Sequence, residues 1–269
     1  MEKTIDALEQ FKENQRQGWS HFAPMEAFTT PPAARLVRHA GIRSGQKVLD
    51  VGCGTGVVAV TAARLGARVS GLDLTPELIE RARENSSIAN VDIDWHVGDA
   101  EELPFEKGAF DVVVSQFGHM FAPRPEVAVA EMLRVLKPGG TIAFATWPPE
   151  LLVGRLFLLV SKYLPPPPIQ VPPPSLWGDP NIIRERLGSA VKDILFDRAF
   201  MLVPALSPQH NRAMGERSVG PVIKLVALLK EKDPAKLETF RREGEALVAD
   251  YFEGNTIRQD FLLTRATKV

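Results

Sequence analysis

Cysteine is nearly missing from this sequence: its 269 residues carry one, Cys53. A single thiol cannot close an internal disulfide, which fits a reducing cytoplasm. Long apolar runs are missing too, none approaching the roughly 20 residues of a membrane-spanning helix. The opening stretch, MEKTIDALEQFKENQ, is polar and charged and does not read as a secretory leader. Neither charge sign dominates, with 32 Lys and Arg against 33 Asp and Glu. No block of like charges stands out, so a basic footprint for nucleic acid is absent. No internal repeat is visible, and the length suits one large core with or without a smaller subdomain.

The most informative stretch is Val48 to Gly56, VLDVGCGTG. A short apolar run ends in Asp50, glycine follows at every second position (Gly52, Gly54, Gly56), and a helix-forming run begins at Val57. This is a buried strand, a tight turn and a helix start, the layout of a nucleotide-binding crevice. Glycine takes positive φ without steric cost and lets a ligand lie on the backbone. Two ligand classes use such a turn. Gly54-Thr55-Gly56-Val57-Val58-Ala59 also matches the dinucleotide pattern G-x-G-x-x-G/A. Asp50 argues against a pyrophosphate, which it would repel. It suits the ammonium of S-adenosylmethionine (SAM), while the free N–H groups at the helix start suit that molecule's carboxylate. The bland alternative is that Asp50 hydrogen-bonds the loop's own amides.

Along the chain, residues 3–17 pattern as an amphipathic helix with Ile5, Leu8 and Phe11 on one face. An aromatic stretch with Trp19, His21, Phe22 and Phe28 comes next, placed either to cover a ligand or to pin the helix. A helix is expected from Pro32 to Ala40. Strands and helices then alternate, the mark of a parallel sheet covered on both faces. Strands are expected at Lys47–Val51, Arg68–Leu74, Val91–Val97, Phe110–Ser115 and Thr141–Trp147. Thr75, Pro76 and Glu77 form a helix N-terminus with Thr75 as its cap. Beyond Trp147 come an apolar helix at Leu151–Leu164 and a stiff proline-rich connector at 165–174. A short helix, Asp179–Leu187, leads to a strand at Asp193–Val203. Helices follow at Ser207–Arg217, Pro221–Lys232 and Pro234–Phe252, and a last strand at Ile257–Ala266. The three helices are read as a cap over the carboxyl edge of the sheet.

Ligands of open α/β sheets bind at the carboxyl ends of the strands. Three acids fall there: Asp50, Asp73 and Asp99. Asp73, about 20 residues past the glycine loop, is placed to accept from ribose hydroxyls. Asp99 is placed to accept from an adenine amine, with the Ala100 N–H opposite a ring nitrogen. The histidines supply candidate bases. His119, just past the fourth strand, is the best placed, with packing as the alternative role; His21 is second. His96 reads as structural, His39 as a surface residue near a helix C-terminus where a cation is favoured, and His210 as a cap residue. Trp19, His21, Phe22 and Phe121 are candidate acceptor contacts. No metal ligand set stands out.

VLDVGCGTG, the Leu72-Asp73-Leu74 strand end, Gly98-Asp99-Ala100-Glu101-Glu102-Leu103-Pro104-Phe105, Phe110-Asp111-Val112-Val113 and Leu136-Lys137-Pro138-Gly139-Gly140 resemble the class I SAM-dependent methyltransferases. They are most similar to the branch with the ubiquinone and menaquinone biosynthesis enzymes. The resemblance covers residues 35–147. It implies a Rossmann-like, seven-stranded, mostly parallel sheet whose last strand runs antiparallel, in keeping with the two late strands. It places Asp50, Gly52 and Gly54 at the methionine end of SAM, Asp73 and Leu74 at the ribose, Asp99 and Ala100 at the adenine, and Gln116 near the methyl or carboxylate. The expected organisation is an N-terminal helix and lid (1–34), a cofactor core (35–147), and completion of the sheet with the helical cap (148–269). The expected activity is methyl transfer from SAM to a small apolar or aromatic metabolite, leaving S-adenosylhomocysteine. An NAD(P)-dependent oxidoreductase and a non-catalytic SAM-binding protein are the competing readings.

Overall fold

The structure, a computed structural model, describes residues 2–167 and 169–269. The side chain of Ile5 and the whole of Pro168 lie outside what is described. The elements run α1 (Glu2–Trp19), α2 (Glu26–Ala40), β1 (Lys47–Val51), α3 (Val57–Ala63), β2 (Arg68–Asp73), α4 (Pro76–Ile88), β3 (Ile93–Val97), β4 (Phe110–Gln116), α5 (Pro125–Val135) and β5 (Leu136–Thr146). The second half adds α6 (Leu152–Tyr163), α7 (Pro180–Leu187), β6 (Val191–Pro204), α8 (Pro208–Ser218), α9 (Gly220–Lys232), α10 (Pro234–Ala249), β7 (Phe252–Glu253) and β8 (Thr256–Lys268).

One sheet joins the strands in the order β3-β2-β1-β4-β5-β8-β6, with β7 a short hairpin partner of β8. Strands β1 to β5 pair in parallel, and β8 runs antiparallel to both β5 and β6. This is the expected α/β sheet with its antiparallel last strand, plus the two-residue hairpin. Val112, Val113 and Val114 of β4 are fully buried, as a near-continuous apolar run in a strand covered on both faces should be. The helices α8, α9 and α10 lie between β6 and β8 in sequence, and α9 and α10 build a small core with α6 around Tyr163, Leu225, Leu229, Leu237 and Phe240.

Two elements depart from the sequence expectation. Helix α2 starts at Glu26 and runs through Pro31 and Pro32. Each proline removes a helix hydrogen bond. The early turn is held from outside: Glu26 pairs with Arg81 and accepts from Asn85 Nδ2 at 3.0 Å, both on α4. Strand β5 starts at Leu136, because the Lys137-Pro138-Gly139-Gly140 turn is absorbed as an irregularity in the β4–β5 pairing. Thr75 precedes α4 as expected but makes no side-chain cap; its own N–H is taken by Asp73.

Trp95 of β3 locks this half of the sheet. Its indole N–H donates to Ser86 Oγ of α4 at 3.2 Å. Its ring fills the space where side chains at Gly71 and Gly56 would stand: an added Cβ would come within 2.3 Å and 2.6 Å of it. Gly71→Ala is therefore expected to destabilise the protein by about 1–3 kcal/mol through overpacking, lowering its midpoint in thermal or denaturant unfolding, whereas Gly54→Ala meets no neighbour within 4 Å and acts only through its positive φ.

Candidate functional site

The loop after β1 is left-handed at alternate residues, with φ of 63°, 55° and 81° at Gly52, Gly54 and Gly56. Gly52 and Gly56 are also confined, by the Gly118 backbone and the Trp95 ring, while Gly54 faces open space. The loop thus leaves one backbone surface bare at the head of α3, a helix whose first amides point outward.

The acids at the strand ends differ in what they hold. Asp73 is buried and accepts from Gly54 N at 2.8 Å and Thr75 N at 2.9 Å, so one carboxylate sets both the glycine loop and the start of α4. Each oxygen still has a second lone pair. Asp50 is 1% exposed; Oδ2 accepts from Ala59 N at 3.1 Å and Oδ1 has no partner among the described residues. Burial, with the nearby Asp73 charge, pushes its pKa up to about 8 against the Ala59 hydrogen bond. Asp99 is a quarter exposed and pairs with Lys12 of α1.

Gln116, at the end of β4, donates from Nε2 to the Thr29 carbonyl at 2.7 Å and leaves Oε1 buried without a partner among the described residues. Phe117 adopts φ of 63°, unusual for a bulky residue. It is held there by a stack on Trp147 with ring centroids 3.9 Å apart. Ser115 spans the two loops that meet at Gly52 and Gly118: its Oγ donates to Val51 O at 2.6 Å and accepts from His119 N at 3.1 Å.

His119 is not brought to the loop as a free base. Its ring is buried against Phe144 and Trp177, both nitrogens lack partners among the described residues, and burial near Arg186 depresses its pKa to about 3. His21 is exposed on the surface. His39 is half-buried, and desolvation lowers its pKa, so it is not the surface cation the sequence suggested. His96 pairs with Asp94 at 2.8 Å, and His210 accepts from Leu206 N at the start of α8.

Trp19 and Phe121 meet with centroids 4.7 Å apart, Phe22 lies 5.6 Å from Trp19, and Phe157 of α6 lies 5.7 Å from Phe121. Lid helix, core loop and cap-side helix therefore share one aromatic cluster. Phe157, Lys12, Arg16 and Ser115 are residues that sequence reasoning missed. Lys12, Arg16 and Trp19 follow i, i+4, i+7 spacing, a signal that they share one helix face.

The groups present suit SAM. The bare glycine loop accommodates a ligand on the backbone, the unpartnered Asp50 Oδ1 suits a cation, and Asp73 retains acceptor capacity for hydroxyls.

Asp50 and His119 give opposite pH dependences. Asp50 holds a proton in the folded state that an unfolded carboxyl, near 3.8, releases. Its contribution to stability is full below that value and is lost as pH rises toward about 8. His119 resists protonation in the fold, so its contribution is present above pH 6.5 and is lost as pH falls toward about 3. Asp50→Asn is expected to flatten the fall in melting temperature above pH 6.5. His119→Phe is expected to flatten the fall below it. Unchanged slopes in thermal melts across this range would contradict both assignments.

The Methyltransferase domain family matches residues 49–144, the stretch from β1 to β5. An uncharacterized protein of Mycobacterium tuberculosis is 33% identical over 257 residues, 94% of this chain and 93% of that one. A ubiquinone biosynthesis O-methyltransferase of Xanthomonas campestris is 41% identical over 103 residues, covering 38% of this chain and 43% of its own length. The fold is shared with the YcgJ protein of Bacillus subtilis, with a TM-score of 0.57 at 19% identity over 88% of this chain and 98% of that one. With the glycine loop and strand-end acids in the expected architecture, these matches place the chain among the class I SAM-dependent methyltransferases, with S-adenosylmethionine as its cofactor.

Proposed function

We propose that the methyl group goes to a small apolar or aromatic acceptor held at the aromatic cluster of Trp19, Phe22, Phe121 and Phe157. That cluster carries the reading, because it lies where the N-terminal lid (1–34), the cofactor core (35–147) and the cap-bearing segment (148–269) converge. The family match ends at residue 144, before the cap, so the named relative's acceptor does not transfer to this chain.

In this reading Gly52, Gly54 and Gly56 bed the methionine end of the cofactor and Asp50 accepts its ammonium. Asp73 and the Leu74 backbone hold the ribose, Asp99 and the Ala100 N–H the adenine, and Gln116 lies beside the methyl. SAM supplies an electrophilic methyl whose leaving group is a neutral thioether. The chain's work is then alignment and exclusion of water, which together contribute up to roughly 7–11 kcal/mol for well-oriented partners. Trp19 and Phe121 close the acceptor off from water, and α1 covers it. With the His119 ring walled into the core, the reading favours an acceptor atom nucleophilic in its own right, such as a thiolate, an amine or an activated carbon. His21, on the lid, is the remaining histidine candidate for a proton acceptor.

Two experiments test this. Burial pushes the Asp50 pKa up to about 8, and a bound ammonium favours its ionised form. Calorimetric titration with S-adenosylhomocysteine at pH 7 should therefore show proton release in buffers of different ionisation enthalpy, and Asp50→Asn should abolish it. In an acceptor panel of phenols, quinols, apolar thiols and hydrophilic amines, turnover should fall on the apolar members. For the best of them Trp19→Ala should raise KM about 10–100-fold, the worth of one buried aromatic side chain, while homocysteine-product affinity stays within about a factor of three. Turnover confined to hydrophilic acceptors would overturn the substrate class.

A further inference from the structure

Helix α1 brings two cations to the carboxyl edge of the sheet. Lys12 is 8% exposed, with Nζ 2.5 Å from Asp99 Oδ2 and 2.9 Å from Glu101 Oε2. One turn later Arg16 Nε donates to the Leu74 carbonyl at 3.2 Å. These contacts fall on the two strand ends assigned above to adenine and ribose.

The surroundings decide which pairing can be given up. Asp99 Oδ1 is occupied by the Glu101 N–H at 2.8 Å, so Oδ2 is its free face, and Lys12 fills it. Glu101 is fully buried but does not depend on Lys12, because Arg124 reaches it from Nε at 2.9 Å and Nη2 at 2.8 Å, and from its backbone N–H. Removing the ammonium therefore leaves Glu101 paired and frees only Asp99 Oδ2. The ammonium itself regains water on a flexible four-carbon stem. At its other end α1 is pinned: Gly18 and Gly220 of α9 meet backbone to backbone, and a Cβ at Gly220 would lie 2.6 Å from the Gly18 carbonyl carbon. The helix has a fixed end at the cap and a breakable ionic contact at the core.

We infer that Lys12 is a latch: it competes with the adenine amine for Asp99 Oδ2 and holds α1 shut over the cofactor site until the cofactor displaces it. The inference rests on the assignment of Asp99 to adenine. A protein that must open before it binds shows an affinity reduced by the open fraction, so removing the latch tightens binding.

The test is S-adenosylhomocysteine binding by calorimetry and stopped-flow, on wild type and Lys12→Met. It is run beside the analogue in which the adenine amine is replaced by the inosine carbonyl. The expected result is faster association to Lys12→Met, with Kd about three- to tenfold lower, and weaker binding of the deaminated analogue by both proteins. An analogue that binds as well as the natural product overturns the adenine assignment and the latch with it. Persistent discrimination with an unchanged or higher Kd in Lys12→Met overturns the latch alone. If Lys12→Met does not fold, Lys12→Ala takes its place and is read in the same way: faster association with a lower Kd supports the latch, and an unchanged rate overturns it.

Discussion

One carboxylate, Asp73, underlies the carboxyl edge of this sheet. It accepts at once from the amide of Gly54 in the loop after β1 and from that of Thr75 at the head of α4. A left-handed glycine loop has little conformational preference of its own, and glycine loses more freedom on folding than any other residue. Asp73 supplies the anchor, Trp95 packs against the loop from one side, and Gly118 meets it from the other. Burial raises the pKa of Asp73, and the two amide hydrogen bonds oppose that shift. Each of its oxygens keeps a second lone pair beside the amide it holds.

Helix α1 is tied to three bodies at once. Lys12 and Arg16 bind the core, Trp19 packs on the loop after β4, and Gly18 meets the cap at Gly220. Most helical stability in proteins comes from tertiary packing rather than from propensity. The position of α1 therefore follows from those tertiary contacts. Its contacts to Asp99, Leu74, Phe121 and Gly220 are set along a single helix, within two turns of one another.

The cap has its own small core and a charged face in which Glu216 pairs with Arg212 and Arg241. Function on such folds resides in what is grafted onto the sheet, and here the segment after β5 meets the loop after β4 through Phe157 of α6 and meets α1 through Gly220 of α9.

Much of the fold was legible because its signals are local. Alternating apolar runs, the glycine spacing and Pro-first helices placed β1 to β5 and the late strands within a few residues. The antiparallel last strand came from family resemblance rather than from spacing. Helix α2 was missed at its start because Pro31 and Pro32 read as a beginning, while Glu26 is secured by Arg81, 55 residues away. Charge at His39 and His119 was illegible for a related reason: protonation depends on how much water a ring keeps and on the charges beside it, and these are decided by burial and by Arg265 at His39 and by Phe144 and Trp177 around His119, all arriving from distant strands and turns. By itself the sequence determined the sheet, the glycine loop and the acids at three strand ends, since backbone geometry and residue spacing need only near neighbours. Only the tertiary structure decided that Lys12 faces Asp99, that Phe157 joins Trp19 and Phe121, and that the His119 ring is walled in, because each is a contact between segments far apart in the chain whose pairing no local pattern encodes.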